Sequence, residues 1–322
     1  MEYQNRIDLS ELKQAADAIR NEVSKVLVGQ HQMVDQFLVA ILTQGHLLIE
    51  GVPGVAKTLA AKLVAKTLSL DFSRIQFTPD LMPSDVLGTQ IFNQLKSQFE
   101  FKQGPIFSNI VLIDEINRAP AKTQSALFEV MEERQITNDR TTYQMDLPFL
   151  VFATQNPIEQ EGTYRLPEAQ LDRFLFKIVV DYPNAEQEFE ILQKFHGHKK
   201  IADLSQIQAV VSKAQLLAFQ AQLADIQIEE SLLRYISQIV HQTRNHKSLY
   251  LGASPRASIA IMQSSKAMAA LSGRDFVIPE DIKEVLNPVL NHRILLSAEK
   301  EMEGTRPADV IAQIIHDTEI PR

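Results

Sequence analysis

Five stretches of the chain carry side chains suited to phosphate chemistry, and the first is GVPGVAKT, Gly51 to Thr58. It lies between the apolar run Leu47-Leu48-Ile49 and a helix-forming run from Lys57 to Leu68. In a strand, loop and helix of this kind the backbone N–H groups face phosphate oxygens. The lysine neutralises the β and γ phosphates, and the hydroxyl after it binds Mg²⁺. Those roles fall to Lys57 and Thr58. The usual spacing puts glycine directly before the lysine, where this chain has Ala56. A left-handed backbone there would cost alanine about 1 kcal/mol, so Ala56 is expected in ordinary helical space at the start of the helix. Taken alone, the loop also reads as a Gly-Pro turn joining a strand to a helix.

The other four stretches supply carboxylates, an amide and two guanidiniums. Asn109 to Ile113, NIVLI, is an apolar strand ending in Asp114-Glu115. Ligands bind outside the carboxyl ends of parallel strands, so Asp114 suits Mg²⁺, usually through water, and Glu115 suits orienting or deprotonating the attacking water. An isolated Asp-Glu pair would read as an exposed acidic turn; a lysine loop upstream and a buried strand before it favour the site. Phe149 to Thr154 is a further apolar strand, closed by Gln155-Asn156-Pro157. The Asn156 amide either holds the attacking water or starts a turn. Arg173, at the end of the helix expected over Leu166 to Phe174, either pairs with Asp172 or reaches the γ-phosphate of a neighbouring subunit. A guanidinium placed there is worth about 10³ to 10⁵ in rate. Arg256 follows Ser254, a good helix cap, and Pro255, suited to the first helical position. The helix dipole disfavours a cation in that first turn, so an anionic target or a nearby acid must offset it.

These residues need a scaffold, and its outline follows from periodicity. Leu9 to Lys25 and Gln30 to Gln44 read as helices, with Met33, Phe37 and Ile41 on one stripe of the second. Val28-Gly29 between them either borders a nucleotide base or makes a plain helix-to-helix turn. Arg74 to Thr78 is a strand, followed by a hairpin with Ile91 and Phe92 on one arm and Phe99 and Phe101 on the other. That hairpin either touches a substrate or packs on the surface. Ala121 to Glu133 is helical, and a second hairpin turns at Asn138-Asp139. After the strand Leu175 to Val180, Tyr182-Pro183-Asn184 marks a domain boundary, giving residues 1–182 and 185–322. The second part is expected to be helical: Ala185 to Phe195, Ser205 to Ala209, Lys213 to Ala224, Glu229 to Arg244, the helix at Pro255 and another at Pro279 that Pro288 breaks or kinks. His196 and His198 in FHGHKK lack further ligands at metal spacing and read as surface residues.

Composition narrows the setting. At 322 residues, 45% hydrophobic and 22% charged, the chain has room for about two globular domains. A net charge of −8 argues against a nucleic-acid or anionic-membrane surface. The chain has no cysteine, which suits a reducing compartment. No secretory leader and no apolar run of membrane-spanning length is visible, so the expected location is the cytoplasm.

The ordered set GVPGVAKT, VLIDEINRAP, ATQNP, LPEAQLDRF and ASPRA resembles the MoxR family of AAA+ ATPases from about Val28 to the C-terminal region, and Ala56 is in keeping with that family's loop. The resemblance implies a parallel-sheet α/β nucleotide-binding domain, a C-terminal all-helical lid, and a ring of like subunits, expected as a hexamer, with ATP and Mg²⁺ at subunit interfaces. The nucleotide contacts it implies are Val28, Gly29, Gly51, Val52, Pro53, Gly54, Val55, Ala56, Lys57, Thr58 and Leu59, with Thr58 and Asp114 on the metal. Glu115 is then the water-activating carboxylate, Asn156 the water sensor, Arg173 the finger presented to a neighbour and Arg256 the lid sensor. The hairpins resemble substrate-facing insertions. Such proteins are similar to chaperones that mature metalloenzymes or protein complexes, often with von Willebrand factor A partners. A nucleic-acid or chelatase-type motor subunit shares this machinery, and a non-hydrolysing ATP-dependent scaffold is the alternative from another class.

Overall fold

The computed structural model of the chain describes residues 7–52, 54–157, 162–196 and 204–321. Helices α1 (Ser10–Ser24) and α2 (His31–Leu42) lead into β1 (His46–Gly51), the phosphate-loop candidate and α3 (Lys57–Thr67). Next come β2 (Phe72–Gln76), α4 (Pro83–Leu87) and a hairpin of β3 (Gly88–Asn93) and β4 (Gln98–Gln103). They are followed by β5 (Ile110–Asp114), α5 (Ala121–Glu133), a second hairpin of β6 (Gln135–Asn138) and β7 (Thr141–Gln144), β8 (Leu150–Gln155), α6 (Glu168–Leu171) and β9 (Phe174–Val180).

Five strands pair in the order β2-β5-β8-β1-β9, all parallel. Helices cover both faces, which explains the apolar runs of residues 47–49, 110–113 and 150–153 in the inner strands, whereas in the edge strand β2 only Ile75 is buried. Leu47, Ile49, Ile110, Leu112, Leu150 and Phe152 face the side packed by α1, α2 and α3. Leu48, Val111, Ile113, Val151 and Ala153 face Leu127, Phe128 and Met131 of α5. The order brings the carboxyl ends of β5, β8 and β1 side by side, and with them Asp114, Asn156 and the phosphate loop.

The hairpins lie apart from the sheet and touch each other. Phe101 stacks on Tyr143 with ring centroids 4.5 Å apart, and the Gln90 amide donates to Asn138 at 3.1 Å. Because Asn138 pairs with Thr141, the turn falls at Asp139-Arg140, one residue later than expected, and both residues have positive φ. That is the hairpin turn whose twist matches its strands.

The C-terminal part contains α7 (Ala185–His196), α8 (Lys213–Gln222), α9 (Glu230–Asn245), β10 (Leu249–Leu251), α10 (Pro255–Leu271), α11 (Pro279–Leu290), β11 (Leu295–Leu296), α12 (Ala298–Met302) and α13 (Pro307–Asp317). The small side chains Ala257, Ala260, Ala267 and Ala270 are buried along α10, which packs against α11, α9 and α2. β10 and β11 form a short antiparallel ribbon, and α11 continues through Pro288. The helix expected over Ser205 to Ala209 is only a 3₁₀ turn at Leu204–Gln206. Among the described residues no helix is long and apolar enough to cross a membrane, and no His, Cys, Asp and Glu cluster could hold a metal. His198 lies outside the described residues, and His196 is exposed.

Candidate active site

The phosphate loop leaves β1 at Gly51, where a Cβ would stand 2.6 Å from the Val180 carbonyl oxygen, so only glycine fits. Gly54 has φ +89°, a left-handed conformation natural to glycine. Pro53 lies outside the described residues. Ala56 corrects the expectation from sequence: it is left-handed, at φ 61° and ψ 22°, and forms the N-cap of α3. The chain must reverse its twist there to start the helix, and alanine tolerates the conformation at a cost of about 1 kcal/mol. The side chains of Val52, Val55, Ala56 and Leu59 pack against the core. Lys57 Nζ donates to the Gly51 carbonyl across the loop. Burial pushes the Lys57 ammonium below its usual pKa, against the pull of Asp114, Glu50 and Glu115.

Thr58, on the first turn of α3, lies opposite Asp114 at the end of β5, with Oγ1 3.3 Å from the carboxylate Oδ1. Thr154 of β8 donates to the same Oδ1 at 3.2 Å, and its Oγ1 accepts the Glu115 N–H at 3.1 Å. Arg74 of β2 closes the other side, with Nε 2.6 Å from Asp114 Oδ2. A hydroxyl and a carboxylate this close form the all-oxygen donor set that a hard divalent cation takes, so the residues fit Mg²⁺. Glu115 is left-handed at φ 59°, which turns its side chain out of the strand direction. Its Oε2 accepts from Gln76 at 2.9 Å and from Arg118 at 3.0 Å. Asn156 is buried directly after β8.

Four other sequence candidates, Val28, Gly29, Arg173 and Arg256, have partners of their own or are buried. Val28 is buried, and Gly29, at φ +74°, packs against Gln187 of α7, whose amide donates to the Gly29 carbonyl at 3.4 Å. The helix expected over Leu166 to Phe174 is reduced to α6, so Arg173 stands in the turn before β9. Arg173 does not pair with Asp172. It binds Glu132 of α5 at 2.9 Å, and Arg256 binds the other oxygen of the same carboxylate at 2.8 Å. Ser254 occupies the N-cap of α10, but its hydroxyl caps nothing; it donates to Asp172 at 3.1 Å.

Sequence reasoning missed Arg74, Gln76, Thr154, Glu132 and Arg293. Arg74 and Gln76 alternate along β2 and therefore share a face, a signal that was present in the sequence. Arg293 carried no signal, being one cation in a mixed segment. Its side chain is 3% exposed and pairs with Asp172 at 2.7 Å. Burial lowers its pKa, the charge of Arg256 pushes the same way, and Asp172 opposes both.

A parallel sheet with a phosphate loop, an adjacent pair of carboxylates and a helical C-terminal part defines an AAA+ ATPase with its lid. Family models agree: residues 46–176 match the ATPase family associated with various cellular activities, and residues 241–314 match the AAA lid domain. Chaperone MoxR1 of Mycobacterium tuberculosis is 44% identical over 310 residues, covering 94% of this chain and 81% of that protein. YeaC of Bacillus subtilis is 44% identical over 299 residues, covering 93% of this chain and 92% of its own. A crystal structure from Cytophaga hutchinsonii, assigned provisionally as an ATPase, superposes with a TM-score of 0.87 at 47% identity over 98% of this chain and 99% of its own. The chain belongs to the MoxR family of AAA+ ATPases.

Proposed function

We propose that this ATPase hydrolyses Mg²⁺-bound ATP between subunits of a hexameric ring and uses the energy to remodel or mature client proteins in the cytoplasm. The observation that carries the reading is the meeting of Lys57 and Thr58 with Asp114 and Glu115 at the strand ends, with Thr58 and Asp114 oxygens 3.3 Å apart. The loop's N–H groups and Lys57 bind the phosphates, and Val28 and Gly29 border the base. Thr58 and Asp114 would hold Mg²⁺, which when bound would neutralise charge on the terminal phosphates. Arg74, 2.6 Å from Asp114 Oδ2, borders that position. Glu115 takes the proton of the attacking water, and Gln76 and Arg118 keep its carboxylate aimed. Asn156 orients the same water. Arg173 and Arg256 complete the site of an adjacent copy, where their charge offsets that developing on the transferred phosphate.

A chaperone-like role draws on MoxR1, the relative whose name states it. It is also supported by the first hairpin, where Ile91, Phe92, Leu95 and Phe99 are exposed and offer an apolar surface to a client polypeptide. Von Willebrand factor A domain proteins are the proposed partners. The test is Glu115→Gln, which keeps an oxygen to accept from Gln76 and Arg118 but loses the base. Phosphate release should fall about 10² to 10⁴-fold while ATP binding, measured by calorimetry, is kept. Turnover equal to the parent's would sink the assignment.

A further inference from the structure

Glu132 lies near the C-terminal end of α5, and its two oxygens serve two guanidiniums from distant parts of the chain, Arg173 before β9 and Arg256 at the start of α10. The segments carrying them are tied a second time through Asp172, which accepts from Ser254 at 3.1 Å and from Arg293 at 2.7 Å. The side chains of Asp172, beside Arg173, and Ser254, two residues before Arg256, are thus bonded to each other, while the guanidinium heads converge on Glu132. The cluster is Arg173, Arg256 and Arg293 against Glu132 and Asp172, an excess of one positive charge. Glu132, Arg173 and Arg256 stay open to solvent, with side chains 39%, 31% and 45% exposed. A carboxylate held between guanidiniums presents the same charge-assisted acceptor edge as a phosphate.

We propose that Glu132 is a positioning residue for the shared ATP site: in the lone subunit it holds Arg173 and Arg256 as one fork, and it yields both to the terminal phosphate bound by an adjacent copy. The proposal rests on the intersubunit reading above. Glu132 has two effects that a variant can separate. Its shape keeps the guanidiniums convergent, and its charge competes with the phosphate that replaces it.

The test mixes two subunits that are inactive alone. One carries Arg173→Ala with an intact phosphate loop; the other carries Lys57→Ala with intact arginines, so turnover arises only where the second serves the first. Glu132→Gln in the Lys57→Ala subunit removes the competing charge and keeps an acceptor of the same shape. The KM for ATP should then fall about three- to tenfold, the span expected for two partly exposed ion pairs. The same substitution in the Arg173→Ala subunit should leave KM within about twofold, because that subunit lends no fork. Glu132→Ala in the Lys57→Ala subunit removes the anchor as well, and should lower kcat about tenfold or more. An unchanged KM, or an equal shift from either subunit, overturns the role of Glu132. A parent mixture without turnover, while the unmutated ring hydrolyses ATP, overturns the intersubunit reading itself.

Discussion

Arg293 is the residue whose loss should separate stability from aim. Its guanidinium donates to Asp172 Oδ1 at 2.7 Å, to the carbonyls of Leu175 at 3.0 Å and Val289 at 2.6 Å, and to those of Asp172 at 3.2 Å and Phe174 at 2.6 Å. Every N–H of the group has an acceptor. Arg293→Met keeps most of the volume and removes all the donors. Stripping one partner from a buried ion pair costs about 3–5 kcal/mol. Asp172 is 23% exposed and recovers some hydration, so about 3 kcal/mol is the expected loss. Unfolding entropy scales at about 2 cal/mol/K per residue, which for 322 residues converts that loss into a melting point about 4 °C lower. Scanning calorimetry reads this directly. Turnover at 25 °C, far below melting, should fall more than the stability change explains, because among the described residues the Asp172 carboxylate then keeps only its bond from Ser254 and the segments carrying Arg173 and Arg256 are held less firmly beneath Glu132. ATP binding at the phosphate loop should be kept. A melting point within about 1 °C of the parent would refute the clamp. Turnover equal to the parent's would refute its role in aiming the arginines.

Two further outcomes follow from the backbone and from buried histidines. Ala56→Gly relieves about 1 kcal/mol of left-handed strain but returns about 0.5–1 kcal/mol through the freer unfolded chain, so urea midpoints should barely move. Ala56→Val, β-branched at φ 61°, should lose more than about 1 kcal/mol and weaken ATP binding by calorimetry; equal losses for both variants would contradict the left-handed assignment. Burial pushes the His46 pKa down to about 4, opposed by its bond to the Met131 carbonyl, and burial also holds His292 well below its usual value. Between pH 6.5 and 4 the unfolded chain therefore binds protons that the fold excludes, so stability is full above about 6.5 and is lost on acidification, by on the order of 3 kcal/mol for His46 alone. Denaturant midpoints at pH 4.5 and 7.5 should show this drop and a smaller one in His46→Asn; equal drops in both proteins would exclude His46 as its source.

The strands, the phosphate loop and the Asp114-Glu115 pair were legible because each is local: a run of apolar residues, or adjacent side chains at a strand end. The contacts of Arg173 and Arg256 were not. Periodicity reports which face of an element is buried, but it says nothing about which distant charges meet. Glu132 lies in the helix expected over Ala121 to Glu133 with no role of its own, and of the two readings open for Arg173 one paired it with its sequence neighbour Asp172 and the other with a phosphate. In the fold Asp172 turns the other way, toward Arg293 and Ser254, some 80 to 120 residues on. That long-range choice is what frees Arg173 for Glu132.

The failure at Ala56 has a different origin. Propensity argues that a non-glycine residue avoids positive φ, yet Ala56 at 61° and Glu115 at 59° both adopt it, at the phosphate loop and at the end of β5. Each conformation costs about 1 kcal/mol, and the surrounding packing enforces it. Val55 and Ala56 lie against the core, while the Glu115 N–H is held by Thr154. Relaxing Ala56 toward helical space would swing the loop's N–H groups away from the phosphate position proposed above. Relaxing Glu115 would return its carboxylate to the strand direction and away from Gln76 and Arg118. Positive φ alone does not mark a functional residue, since Gln44, Ser69, Ser97, Arg134, Asp139 and Arg140 adopt it as well; at Ala56 and Glu115 the overridden preference coincides with geometry that the proposed chemistry needs.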